Sequence, residues 1–433
     1  RKRIEKQVGL ANIRDFYVCS LSARSLIYKG MFLAEHIDEF YPDLKDPRFT
    51  AAVAIFHQRY STNTFPEWRL AQPFRMLAHN GEINTLKGNT NWMKSHEIRM
   101  AASAFGDYQD DVKPVIQPGG SDSAALDNVF EVLVRAGRDA PMAKALLIPE
   151  AWNTRSDAQM KASHRALYAY CNAVMEPWDG PAAVCATDGR WVVAGKDRNG
   201  LRPMRVAQTS DGLLIIGSEA GMCRVEESRI IRKAHIEPGR MLAVDLNEGR
   251  LYDEDGIVDR LAAQHPYDRW LSNTVELEDK IGPGPEPRMF PREELVRRQA
   301  AAGLTLEDLE LILAPMVEEA KEAVGSMGDD TPLAVLSDTY RPLSHFFRQN
   351  FSQVTNPPID SLRETAVMSL KTRFKNLGNI LAEDETQTDV FVLNSPVLTT
   401  GMYERVIEVI GEKNIAVIDC TMPIPAQDAR PGD

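Results

Sequence analysis

The stretch PAAVCATDGRWVVAGK, residues 181–196, constrains the fold more than any other. Two short β-prone runs flank the step Asp188–Gly189, and an Asp-Gly step closes tight turns because glycine accepts positive φ at no steric cost. Strands joined so closely must pair antiparallel, since a parallel pair needs a long crossover. The same pattern continues in DRNGLRPMRV, read as a polar loop and a strand, in DGLLIIGSEAG, and in GRMLAVDLNEGRLYDEDG with a second turn at Asn247–Gly249. Upstream, DPRFTAAVAIFHQRYST (46–62) reads as a buried strand ending in a polar cluster, and DFYVCSLSA is strand-like. The clearest helix is DSAALDNVFEVLVRAGR, with Leu126, Val129, Phe130, Leu133 and Val134 at helical spacing and Gly137 as its stop. Hairpin strands with helices to cover them predict a layered sandwich rather than a parallel βαβ sheet.

At 433 residues the chain is too long for one ordinary core, so two or three domains are expected. The Gly/Pro-dense segment IGPGPEPRMFPREE (281–294) is the best linker candidate. Beyond it the rhythm changes. TLEDLELIL carries a capping-box frame, Thr305 with Asp308 three residues on. Pro315 and Gly325 bracket a second helix, and TPLAVLSD, TDVFVLNSP and NIAVIDC read as short buried strands. The division expected is 1–262, a linker at 263–300, and a second α/β region at 301–433.

A formal net charge of -12 argues against a nucleic-acid surface. No run approaches the roughly eighteen apolar residues of a membrane span. The five cysteines (Cys19, Cys171, Cys185, Cys223 and Cys420) are widely spaced and odd in number, which suits reduced, buried thiols in the cytoplasm rather than a disulfide framework or a zinc site. The start, RKRIEKQVGL, has neither an apolar signal region nor an initiator Met, and the expectation is a piece of a longer protein.

Three polar clusters carry chemistry. LAHNGEINT (77–85) places Asn80–Gly81 between apolar runs. That pair reads either as a plain hairpin turn or as an oxyanion hole, made by the Asn80 side-chain amide and the Gly81 N–H. FHQRYSTNTFPEW gathers Arg59, Ser61, Thr62, Asn63 and Thr64, a carboxylate clamp or a surface ion pair with turn chemistry. QPGGSDSAALD places Asp122 at a helix start, as N-cap or as partner for a ligand ammonium. Together these groups fit an α-amino acid whose side-chain carbonyl is under attack. His57 and His79 lie nearby, but no cysteine has a nucleophile frame that would make a Cys/His protease-like site.

With RYSTNT (59–64), HNGEINT (79–85), GGSDSAALD (119–127), IPEAW (148–152), MEPWDGPA (175–182) and DRNGLRP (197–203) in this order, the chain resembles the class II glutamine amidotransferases. RYSTNTFPEW, MEPWDGPA and LSDTYRPLSHFFRQNFSQVTNPPIDSLRE (336–364) are similar to the glutamate synthases within that class, so the resemblance covers essentially the whole chain. It implies an α+β fold: a four-layer αββα sandwich of the N-terminal-nucleophile hydrolase type, followed by a truncated α/β central domain. It implies that Arg59 and Thr62 hold the α-carboxylate of L-glutamine and that Asp122 and the Gly81 carbonyl hold its ammonium. Asn80 and the Gly81 N–H would stabilise the oxyanion, and DRNGLRP would shape the domain nearby or be a plain polar turn.

Glutamine would be hydrolysed to glutamate and ammonia, the ammonia passing to a flavin site that reductively aminates 2-oxoglutarate. The attacking group of the class is an N-terminal cysteine thiol with its own α-amine as base. This chain begins with Arg1 and Cys19 is internal, so the piece alone is expected to be inactive. No cofactor is expected in these residues. FMN and a 3Fe-4S cluster are implied for the full-length parent, with an electron-transfer subunit or ferredoxin as partner and an oligomeric state. Two other readings stay open: an amidotransferase with another acceptor, against which the lack of a GxxxxGK[ST] loop counts mildly, and a glutamine-sensing module without turnover.

Overall fold

The sheet anticipated from the Asp188–Gly189 turn forms as read, in a computed structural model. It describes residues 1–13, 15–58, 64–151, 160–282, 289–319, 323, 334–347, 368–375 and 378–418. Among the described residues eight strands carry the first part of the chain: β1 (Leu77–Gly81), β2 (Ala182–Thr187), β3 (Trp191–Lys196), β4 (Arg205–Thr209), β5 (Leu214–Gly217), β6 (Ile230–His235), β7 (Met241–Asp245) and β8 (Arg250–Tyr252). They make a five-stranded sheet of order β1-β2-β3-β7-β8 and a three-stranded sheet of order β5-β4-β6, with every printed pairing antiparallel.

Strand alternation sorts the first sheet's side chains between two cores. Leu77, Ala182, Val184, Ala186, Trp191, Val193, Met241 and Ala243 face one cluster with residues of the Asp122–Arg135, Ala140–Leu147, Ala162–Val174 and Glu254–Ala262 helices. Ala183, Ala194 and Leu242 face the other cluster, with Met204, Val206 and Ile236, against which Ile216 and Ala234 of the second sheet pack. The result is a helix layer, a sheet and a second sheet in sequence. No helix among the described residues is long and apolar enough to cross a membrane.

The chain divides into two units, Arg1–Val275 with Arg373–Val392, and Glu276–Thr372 with Leu393–Asp433. In the second unit the capping box forms: Asp308 Oδ2 accepts the Thr305 N–H at 2.8 Å and Thr305 Oγ1 accepts the Asp308 N–H at 3.2 Å. Pro315 lies in the first turn of a second helix, as read. A π-type run, Asp308–Leu313, leads directly into helix Ala314–Glu319. The wider turns suit a residue with no N–H to give. Gly325 lies outside the described residues.

Four of the expected strands differ. Residues 15–23, DFYVCSLSA, pair with no strand among the described residues. Ala334–Leu336 is a single 3₁₀ turn. Residues 415–418 form no ladder, with Val417 and Ile418 exposed. Residues 50–58 likewise pair with no strand among the described residues and instead line a cavity. An apolar run makes a strand only where a neighbouring backbone completes its hydrogen bonds. TDVFVLNSP does contain one, Phe391–Leu393.

The Asp122–Arg135 helix is fixed to β1 by a buried carboxylate. Asp127 is fully buried, and its oxygens accept the Met76 N–H at 2.8 Å, the Leu77 N–H at 3.2 Å and the Arg75 N–H at 3.3 Å. Burial, with Glu131 adding to it, pushes the Asp127 carboxyl up to about 6, against the pull of Arg75 and the amides. Asp127→Ala leaves those amides unsatisfied and should lower stability by about 2–4 kcal/mol in urea unfolding. Asp127→Asn, whose single carbonyl oxygen serves only part of the set, should fall between. An unchanged midpoint in the alanine variant would show that the clamp carries no weight.

Candidate active site

Asn80–Gly81 is not a hairpin turn. Both residues lie in β1, with Asn80 opposite Ala183 and Gly81 opposite Ala182, about a hundred residues away in sequence. Glycine is needed at 81 for close approach: at φ 154°, an added Cβ would stand 1.8 Å from the Pro181 carbonyl oxygen. Gly180 has the same constraint from the other side, at φ 141° with Glu82 O 2.1 Å from its would-be Cβ. The two segments are then joined by Glu82 N–H to Pro181 O at 2.9 Å and Asn84 N–H to Asp179 O at 2.8 Å.

Among the described residues β1 is the edge of its sheet, and the ladder decides which way Gly81 faces. The N–H of Ala182 donates to Asp197 Oδ1 at 2.9 Å and its carbonyl accepts the Asp197 N–H at 2.9 Å. Both main-chain groups of Ala182 thus point toward β3, so Gly81 and Ala182 form a non-hydrogen-bonded pair. The N–H and C=O of Gly81 therefore point outward. Two residues earlier, the outward groups of His79 are taken by one side chain: Gln72 Oε1 accepts the His79 N–H at 2.7 Å and Gln72 Nε2 donates to the His79 carbonyl at 2.9 Å. The Asn80 side chain, half-buried, has no hydrogen-bond partner among the described residues. Gln72 also lines a cavity of about 930 Å³ that reaches His57 and Gln58, a volume suited to a small ligand.

Asp122 is not the helix cap. Ser121 is, accepting the Ala124 N–H at 3.1 Å. Asp122 Oδ2 instead accepts the Ile83 N–H at 2.9 Å, which ties the helix to the exit of β1. His79 lies between: its Nδ1 is 2.8 Å from Ser123 Oγ and 4.0 Å from Asp122 Oδ2. Burial pushes its imidazole down to about 4, with Asp122 and the Pro181 backbone opposing and His57 and Arg202 adding. The ring is neutral at pH 7.

The other motifs support this corner. Arg198 grips Asp179 with two hydrogen bonds, 2.7 and 3.2 Å, and the Asp179 carbonyl accepts the Asn84 N–H, so DRNGLRP is tied to MEPWDGPA and through it to the HNGEINT segment. Asp197 is a hub: its carboxylate also accepts the Gly200 N–H at 2.9 Å, and its carbonyl accepts the Gly239 N–H at 2.7 Å. Lys144, fully enclosed, donates to Gly239 O at 2.9 Å, and burial pushes its ammonium down to about 8. Asn80, Gly81 and Asp122 are thus brought together, while Arg59 and Thr62 lie outside the described residues. The sequence reading missed Gln72, Ser123 and the hub role of Asp197. A buried acid in a polar DRNG loop was the only signal for the last.

Comparison with known proteins gives the family. Residues 1–270 match the family described as glutamine amidotransferases class-II, and residues 297–429 match the glutamate synthase central domain.

The chain belongs to the class-II glutamine amidotransferases.

It is 61% identical over 427 residues to the glutamate synthase [NADPH] large chain of Azospirillum brasilense, covering 98% of this chain and 28% of that protein. It is 43% identical to the corresponding large chain of Bacillus subtilis, covering 93% of this chain and 26% of that one. With the glutamate synthase [NADH] of Saccharomyces cerevisiae the identity is 42%, over 92% of this chain and 19% of that one. The chain therefore spans roughly a quarter of the length of these relatives.

The buried His79 of this amidotransferase predicts a pH signature. Its folded value, about 4, lies below the unfolded value of about 6.5. Its contribution is present above pH 6.5 and is lost as pH falls toward 4. Asp127, raised in the fold, acts with opposite sign between about 6 and 4. Replacing His79 by Gln removes only the first effect. The stability deficit of His79→Gln against wild type should shrink by about 2 kcal/mol between pH 7 and pH 5, read from urea midpoints. A deficit independent of pH would mean that the ring is not buried neutral.

Proposed function

We propose that this chain carries the glutamine-binding and oxyanion-stabilising part of a glutamate synthase. The observation that carries the reading is the outward-facing backbone of Gly81 at the edge of β1, beside the Asn80 amide and the Asp122 carboxylate. In this reading the Asp122 carboxylate and the Gly81 carbonyl receive the substrate ammonium. Arg59 and Thr62 hold the α-carboxylate by parallel hydrogen bonds. When a nucleophile adds to the side-chain carbonyl of glutamine, the oxygen gains charge, and the Asn80 amide and Gly81 N–H stabilise it. Collapse of that intermediate releases ammonia, and water then frees glutamate from the acyl-enzyme.

The class resemblance assigns the nucleophile to an N-terminal cysteine. The thiols of Cys171 and Cys185 are unsuited, since burial pushes them up to about 12 and about 11, away from the reactive thiolate. The ammonia would pass to a flavin site that reductively aminates 2-oxoglutarate, with electrons from a partner subunit or ferredoxin. FMN and a 3Fe-4S cluster belong to that chemistry. Among the described residues no group of three His, Cys, Asp or Glu side chains is placed to hold a metal. The three layers at 1–262 would be part of a four-layer αββα sandwich, joined by 263–300 to the start of a central domain at 301–433.

Asn80→Ala in the full-length enzyme should cut glutamine turnover by about 10²–10³ while KM for glutamine moves little. Covalent labelling with a reactive glutamine analogue, located by mass spectrometry, should mark an N-terminal cysteine. A label on Cys19, Cys171, Cys185 or Cys223, or wild-type turnover in the Asn80 variant, would remove this assignment.

A further inference from the structure

His79 and Ser123 are two buried polar residues that the proposed chemistry does not use. Ser123 is second in its helix and nearly fully buried. Its hydroxyl sits between two groups, 2.8 Å from His79 Nδ1 and 3.4 Å from Asp122 Oδ1. The other carboxylate oxygen, Oδ2, is held by the Ile83 N–H at 2.9 Å. The Asp122 carboxylate therefore has a partner on each oxygen, and its plane is set by both. The far side of the imidazole is at Gly81: Nε2 is 2.9 Å from where a Cβ on Gly81 would stand. That nitrogen is fully buried and has no partner of hydrogen-bond geometry among the described residues. The Gly81 backbone thus lies against this ring on one side and the Pro181 carbonyl on the other.

We propose that His79 and Ser123 are positioning residues that set the ammonium specificity of this site, Ser123 by orienting the Asp122 carboxylate and His79 by holding both Ser123 and the Gly81 backbone. The inference rests on the reading of Asp122 as the ammonium partner. The neutral state of the ring is part of the device. An imidazolium 4.0 Å from the carboxylate would compensate its charge and weaken its hold on a ligand cation, whereas a neutral ring leaves the full negative charge for the substrate. A carboxylate fixed in direction also loses little freedom when the ammonium arrives, which is how preorganisation adds affinity. The two residues then differ in what they touch. Ser123 reaches only the ammonium side, while His79 reaches that side and the oxyanion donor.

The test compares L-glutamine with desamino-glutamine (4-carbamoylbutanoate), which keeps the amide and the carboxylate but lacks the ammonium. Ammonia release by the full-length enzyme is measured for wild type, Ser123→Ala, Ser123→Thr, His79→Leu, His79→Asn and Asp122→Asn. Ser123→Ala should reduce the preference for glutamine, as a ratio of kcat/KM values, about 10-fold. It should act through KM for glutamine and leave desamino-glutamine turnover within about 2-fold. Ser123→Thr, which keeps the hydroxyl, should restore the preference. His79→Leu should show the same loss of preference and also a lower kcat on both substrates, with His79→Asn partly restoring the preference. The effects of Ser123→Ala and His79→Leu on preference should not add, because they break one chain of contacts.

A merely structural role would lower activity on both substrates alike, and that result overturns the inference. So does a preference that survives Ser123→Ala within about 2-fold while Asp122→Asn abolishes it. In that case the glutamine reading stands and only the positioning role falls. If Asp122→Asn itself leaves the preference intact, the ammonium reading fails with it. Should His79→Leu not fold, the Ser123 pair alone decides.

Discussion

Two carboxylates on one helix hold the edge strand at both of its ends, and the geometry of the site depends on this. Asp127 takes the amides that enter β1 and Asp122 takes the amide that leaves it, five residues apart along the same helix. Among the described residues the strand is an edge, with a paired neighbour on one side only. Without these acceptors its entering and leaving amides would be buried and unsatisfied, which costs more than most single contacts contribute. Asp127 accepts a raised carboxyl pKa as the consequence of its burial, and the fold keeps it because it serves three donors at once.

The outward direction of the Gly81 backbone follows from what the neighbouring strand does with its own hydrogen bonds. Asp197 substitutes its side-chain oxygen for a main-chain carbonyl opposite Ala182, and its freed carbonyl serves Gly239 and Gly200 instead. The ladder is thereby kept in register up to the point where Gly81 and Gly180 pass each other without side chains. Buried Lys144 closes the same arrangement from below through Gly239. A charged residue in each of these places is costly to bury, and each is retained where it aligns backbone that no apolar residue could align.

Much of the scaffold was legible because it is set by local rules. The Asp188–Gly189 and Asn247–Gly249 turns, the apolar stripe of Leu126, Val129, Phe130 and Leu133, and the Thr305–Asp308 capping box all appear as spacing and turn chemistry imply. The failures are non-local. Asn80–Gly81 looked like a turn because the pair suits one, yet its glycine answers to Pro181, a residue far away in sequence. Asp122 looked equally good as a cap, and only the position of Ser121 in space removes that role. Residues 50–58 read as a strand on apolarity alone, which says nothing of whether a partner backbone is there. The site's donors were visible as residue types. Their directions were not, since direction is set by the alternation of a ladder that the sequence does not display.

The side chain of Gln72 has a consequence beyond the site. An edge strand with bare amides is a template on which another chain's strand can add, the usual start of sheet-to-sheet aggregation. Gln72 presents a primary amide in the orientation of a peptide group, and so occupies the donor and acceptor of His79 as one residue of a neighbouring strand would. The outer face of β1 is thus closed to an incoming extended chain one step before the position where Gly81 is open. An extended chain therefore meets the Gln72 amide at His79 and cannot continue its ladder across that residue to Gly81.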